Sequence, residues 1–199
     1  MQDRYAGDIG DFVKLGLLRA ISPGQRLGVA WYRFPDEDHN RDGRHVSYLE
    51  RPEGHAVLDP ELLGHLRNVV KDARSIASLL PIIGTAASFD ESLDVQGVPA
   101  HLRRNWRKAW FARALEKLAD CNLVFADPDN GIVDDNDWRK GSAKFGKQMP
   151  LDEVRALARG RCAVTHLRRC HPRPAGPQRA SPRIGRSFDA KVRQPRRKR

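Results

Sequence analysis

Two spacings of apolar residues divide this chain into helices and strands. Phe12, Val13, Leu15, Leu17, Leu18 and Ile21 recur at helical intervals, with Asp11 as a candidate N-cap and Ser22-Pro23-Gly24 as the stop. Residues 27–34 read as a strand, ended by Pro35. Residues 36–45 (Asp-Glu-Asp-His-Asn-Arg-Asp-Gly-Arg-His) are almost all polar and read as a loop leaving that strand's carboxyl end. Asp59 caps a helix with Pro60 at its first position, running to about Asp72. A shorter helix covers 75–80 before Pro81, and 88–93 fits either a helix or a strand. The clearest helix is 102–119, where Trp106, Trp110, Phe111, Ala114, Leu115 and Leu118 form one apolar stripe, read as core packing rather than as a base-stacking surface. Residues 122–127 form a strand in which Leu123, Val124 and Phe125 are apolar on both faces. A helix over 152–159, stopped by Gly160, and a short strand over 162–167 complete the series.

This order predicts an α/β, Rossmann-like layered domain with a mostly parallel sheet. Three strands are few for such a sheet, so the domain is expected to be incomplete at its carboxyl end.

Charge changes that picture only at one end. The 199 residues carry 36 Lys and Arg against 25 Asp and Glu, a net of +11. Twelve of the basic residues and one acid, Asp189, lie between Arg168 and Arg199, leaving 24 of each sign before them. The predicted organisation is therefore a neutral α/β domain over 1–167 and a disordered, Arg- and Pro-rich tail over 168–199 with no apolar periodicity. The tail has three readings: a polybasic arm binding RNA or DNA through phosphates, an inert solvated terminus, or the product of a shifted reading frame in a GC-rich gene. Cys121, Cys162 and Cys170 form no CxxC pair or zinc spacing, and their odd number predicts a reducing, cytoplasmic setting. No apolar run reaches the roughly 18 residues of a membrane span.

Candidate chemistry falls in three polar clusters: residues 5–11 before the first helix, the loop 36–45, and Asp127-Pro128-Asp129-Asn130-Gly131. The last two leave strand ends, and in a parallel sheet they share the edge where open α/β folds bind ligands. The first precedes a helix N-terminus, whose N–H groups suit an anionic ligand, with Lys14 on the first turn. His39, His45, Asp36, Asp38 and Asp42 could supply hard ligands to a divalent metal, although their spacing matches no defined metal motif.

Asp127-Pro128-Asp129-Asn130 resembles the Asp-Pro-Pro-Tyr motif of class I S-adenosylmethionine-dependent amino-methyltransferases, which follows a central strand and holds the target amino group. Residues 5–14 (Tyr-Ala-Gly-Asp-Ile-Gly-Asp-Phe-Val-Lys) resemble the His-Ala-Gly-Asn-x-x-Asp-x-x-Lys opening of the ribosomal RNA adenine methyltransferase J family; Ala6, Gly7, Asp11 and Lys14 match, and Asp8 replaces the Asn. The chain is also similar to uncharacterised bacterial proteins with a Gly-Asp-x-Gly-Asp-Phe opening and an Asp-Pro-Asp-Asn-Gly motif. The resemblance implies amino-group methylation on nucleic acid, with Asp127 and Asn130 catalytic. It further implies S-adenosylmethionine against Gly7, Asp8, Lys14, Asp36 and Asp38, and substrate against Asp129 and Tyr5. Three positions depart from the pattern. Phe34-Pro35-Asp36-Glu37 stands where the family has a second glycine-rich turn, Leu15 replaces a His, and Asn130 replaces the aromatic residue that stacks on a flipped base. Two alternatives accompany this reading. One is a metal-dependent nuclease or phosphoesterase using Asp127, Asp129 and acids of the 36–45 loop. The other is a non-catalytic binding protein with a degenerate methyltransferase fold.

Overall fold

A computed structural model describes residues 1–37, 43–51, 53–136 and 139–165. In chain order it contains α1 (Ile9–Ile21), β1 (Leu27–Ala30), α2 (Glu53–Ala56), α3 (Pro60–Lys71), α4 (Leu80–Ile83), β2 (Ala87–Phe89), α5 (Arg103–Lys117), β3 (Leu123–Ala126), β4 (Ile132–Val133), β5 (Met149–Pro150), α6 (Leu151–Leu157) and β6 (Cys162–Thr165). Four strands form a parallel sheet in the order β2-β1-β3-β6. Short β4 and β5 pair separately, also in parallel.

The pleat of the central strands explains the layering. Alternate residues of a strand face opposite sides, and both sides here are buried. Leu27, Val29, Leu123 and Phe125 pack with Phe12, Leu15 and Leu18 of α1, Leu62, Leu66 and Val69 of α3, and Ile82 and Ile83 of α4. Ala30, Val124 and Ala126 pack on the other side with Trp110 and Ala114 of α5, Leu118 just past its end, and Leu157 of α6. A parallel sheet covered by helices on both faces follows from continuous apolar strands. Gly28 permits the close fit of α5, because a Cβ there would lie 2.7 Å from Cys121 Sγ and 2.8 Å from Leu118 Cδ2.

The predicted α/β class and mostly parallel sheet are present, and several details differ. The sheet has a fourth strand: β2 resolves the ambiguity at 88–93, and only pairing with β1 settles it. The strand predicted over 27–34 pairs regularly only to Ala30. The N-cap of α1 is Asp8, whose carboxylate accepts the Gly10 N–H at 3.0 Å. Asp11 lies inside the helix and is buried, and Lys14 sits beyond the first turn. The helix expected to stop before Pro81 instead carries that proline in the first turn of α4, where its missing N–H costs nothing. The predicted tail, the last residues of the 162–167 strand, and Asp38, His39 and Asp42 lie outside the described residues.

Candidate functional site

The sheet has a topological switch point between β1 and β3: the chain leaves β1 for one side of the sheet and β3 for the other. Ligands of open α/β sheets bind in the crevice beyond the carboxyl ends of such a strand pair. Here the chain's own first residues reach the ends of both strands. The Met1 ammonium donates to the carbonyl of Tyr32, beyond β1, at 2.8 Å and to that of Asp127, beyond β3, at 3.3 Å. It also forms an ion pair with Asp129 Oδ1 at 2.6 Å. Three donors thus face three oxygens. Met1 in turn accepts the Phe34 N–H at 2.8 Å.

Gln2 is wholly buried behind it. Its Nε2 donates to Asp129 Oδ2 at 3.0 Å and lies 3.5 Å from Glu37 Oε2, while its Oε1 accepts from the Glu37 N–H at 3.1 Å and from Arg4 Nε at 2.7 Å. Glu37 is further paired with Lys147. The loop after β1 and the Asp127 turn therefore share one edge and one bridging side chain, as a parallel sheet predicts.

Below this lies a buried charge cluster. Lys14 Nζ sits 2.8 Å from Asp11 Oδ1 and 2.6 Å from Asp127 Oδ2, all three side chains being at most 9 % exposed. Burial works against the Lys14 charge, yet the two carboxylates outweigh it and raise its pKa above the ordinary value. Burial raises the Asp11 carboxyl pKa against the pull of Lys14, and the like charge of Asp127 adds to that rise. The raised pKa means that the Asp11 carboxyl holds a proton more readily than a free one. Its Oδ2 also accepts the Gly7 N–H at 2.8 Å. Burial, followed by Asp11 and Asp8, raises the pKa of Tyr48, whose hydroxyl donates to the Gly7 carbonyl at 3.0 Å.

The residues assigned from sequence separate into two groups. Asp127, Asp129 and Lys14 converge at the strand ends together with Asp11, which the sequence offered only as a helix cap and a motif match, and Gly7 joins them through its N–H, with φ at +85°. The others are elsewhere or otherwise engaged. Asp8 caps α1 and accepts the His45 N–H at 3.2 Å. Asp36 accepts the Arg4 N–H at 3.3 Å. Tyr5 accepts from Arg4 Nη2 at 3.0 Å, and the Arg4 guanidinium lies 4.9 Å from its ring centre. Asn130 is exposed, and its backbone N–H donates to the Lys147 carbonyl at 2.7 Å.

The α1 N-terminus, expected to offer N–H groups to an anion, uses them within the chain: Ile9 to the His45 carbonyl, Gly10 to the Asp8 carboxylate and Asp11 to the Asp8 carbonyl. Sequence reading missed Met1, Gln2, Glu37 and Lys147 as site residues. Glu37 stood in the polar loop and was legible as part of a cluster; Met1 and Gln2 carried no local signal.

Trp31 and Tyr32 beyond β1 are fully buried, no glycine lies between Trp31 and Glu37, and Met1 and Gln2 are buried. Among the described residues, no group of three His, Cys, Asp or Glu side chains could hold a metal ion, and no helix is long and apolar enough to cross a membrane. The chain matches no protein-family model, no curated protein and no solved structure.

Proposed function

We propose that the chain is a non-catalytic nucleic-acid-binding protein on a degenerate, Rossmann-like methyltransferase scaffold. The observation that carries this reading is that the carboxylates of the Asp127 turn are engaged within the chain, Asp127 by Lys14 at 2.6 Å and Asp129 by Gln2 at 3.0 Å. RNA or DNA is the proposed partner because the twelve Lys and Arg residues of 168–199 stand against a domain of balanced charge.

Calorimetric titration of the full chain with S-adenosylmethionine tests the catalytic half. No heat and no rise in melting temperature at millimolar ligand are expected. A ligand bound at a hundredfold excess over its Kd would stabilise the fold by ~2.7 kcal/mol, and that result overturns the proposal. Affinity for a single-stranded RNA, measured across a salt series, tests the other half. Binding should weaken steeply with salt; absence of binding at low salt overturns the proposed partner.

A second reading, amino-group methylation on nucleic acid, draws support from one fact: Asp11, Lys14 and Asp127, matched by motif and up to 116 positions apart, meet in space. It requires Met1 and Gln2 to leave the crevice. Transfer of labelled methyl groups from S-adenosylmethionine to RNA or DNA, increased in an Asp129→Asn variant that loosens Met1, would establish it over the first. The metal-dependent nuclease reading has less support, because Asp127 and Asp129 each already face an ammonium group.

A further inference from the structure

Helix α1 is apolar on the side turned away from the sheet as well as on the side that packs against it. Phe12, Leu15 and Leu18 face the core, while Val13 and Leu17 are 64 % and 53 % exposed and Ile21 and Ala20 are exposed beside them. The charged side chains on the helix do not offset this. Asp11 and Lys14 are buried in the cluster described above. Arg19 is drawn sideways onto Asp59 at 2.8 Å, Glu61 at 2.5 Å and the Ile82 carbonyl at 2.7 Å. A helix apolar on all sides is normally covered on all sides. Val57 and Leu58, 84 % and 75 % exposed, extend the surface, and Leu58 joins Val13, Gly16, Leu17 and Ala20 around a groove of about 460 Å³.

We propose that this face is the contact between two copies of the chain, with α1 packed antiparallel against α1 of its partner about a two-fold axis near Gly16 and Leu17. Charge selects this occupant. The groove's rim acids, Asp59 and Glu61, are engaged by Arg19, so the surface is close to neutral and offers no counter-charge to a strongly basic segment. Residues 168–199 carry a net +11 with only Ile184, Phe188 and Val192 as large apolar side chains, and are poorly matched to it. A second copy brings the same uncharged stripe, and an isologous contact sets each apolar residue against another. Gly16 and Ala20 keep the centre of the stripe low and allow close helix approach.

The contact is small. A helix of 13 residues is about 20 Å long and ~10 Å across, less than a standard interface of roughly 800 Å² per partner requires without Val57 and Leu58. A concentration-dependent dimer is therefore expected. Sedimentation equilibrium of the full chain should show the mass rising from 22.5 kDa toward twice that value between about 10 µM and about 1 mM. Leu17→Asp should hold the mass at the monomer value over the same range, and Val57→Asp should weaken association at least tenfold. Both positions are exposed, so circular dichroism and melting should be nearly unchanged, and Val57→Asp, in a loop, keeps the test open if the helix variant misfolds. A chain that stays monomeric at about 1 mM, or a dimer indifferent to both substitutions, overturns the proposal.

Discussion

The two sides of the sheet each bury an ion cluster, and the clusters are built on opposite principles. On the α5 and α6 side, Arg107 meets Glu153 with two contacts, Nε to Oε1 at 2.7 Å and Nη2 to Oε2 at 2.9 Å. It spends its other donors on the Phe145 and Gln148 carbonyls, its guanidinium lies 4.5 Å from the Phe145 ring centre, and the Tyr32 hydroxyl donates to Glu153 at 2.8 Å. One cation faces one anion with the donor geometry satisfied, as in a structural pair. At the carboxyl edge, Lys14 is shared by Asp11 and Asp127, and burial raises the Asp11 pKa against the pull of the lysine. A lysine shared by two buried carboxylates at strand ends differs in kind from a one-to-one pair, because one of its carboxyls is held above its ordinary pKa.

The largest effect should come from removing the shared cation. Lys14→Met leaves two buried carboxylates facing each other and should cost about 3–5 kcal/mol in urea unfolding at neutral pH. The loss should shrink in acid. Because the folded-state pKa of Asp11 is raised, its contribution to stability is full below the ordinary value of 3.8 and is lost as pH rises through the raised one. The lysine works at the other end of the scale. Its raised pKa means its contribution is intact below 10.5 and disappears only as pH climbs past its folded value. A Lys14→Met loss that does not vary with pH would remove the distinction between the clusters.

Arg107→Met should also cost about 3–5 kcal/mol, because it strands Glu153. Here the comparison can be sharpened. Adding Glu153→Leu should restore most of the stability, since a balanced pair can be exchanged for apolar packing, whereas adding Asp127→Leu to Lys14→Met leaves Asp11 buried without its cation. Equal rescue in both double variants, read from denaturation midpoints, would mean that the two clusters do not differ in kind.

Asp129→Asn removes the charge partner of the Met1 ammonium, which keeps its two carbonyl contacts. A loss of about 1.5–3 kcal/mol is expected, with faster amide exchange at residues 2–6. The smallest effect should be at an exposed pair. Glu91→Gln, opposite Arg113, both nearly half exposed, should change stability by about 0.2–1 kcal/mol and by less in high salt. A larger change there would mean that burial is not what gives the inner clusters their weight.

Local pattern carried much of the fold. Asp59-Pro60 opens α3 as read, Leu123–Ala126 is a strand buried on both faces, and the stripe of Trp110, Ala114 and Leu118 packs into the core. Errors arose where distant partners decide. Ala87–Phe89 becomes a strand because β1 lies beside it, and Asp8 displaces Asp11 as cap because Asp11 is drawn inward to Lys14 and Gly7. Asp127 and Lys14 were identifiable by motif, but their contact was not, since 113 residues separate them.

The order of residues alone determined the alternation of helix and strand, the apolar character of both sheet faces and the turn that ends β3, because each depends on spacings of a few positions. Only the tertiary structure decided that Met1 and Gln2 meet the residues that follow β1 and β3, and that one lysine serves two carboxylates. Those contacts join residues with no shared local pattern, and a charge removed from water is stable only with the partners that folding brings to it.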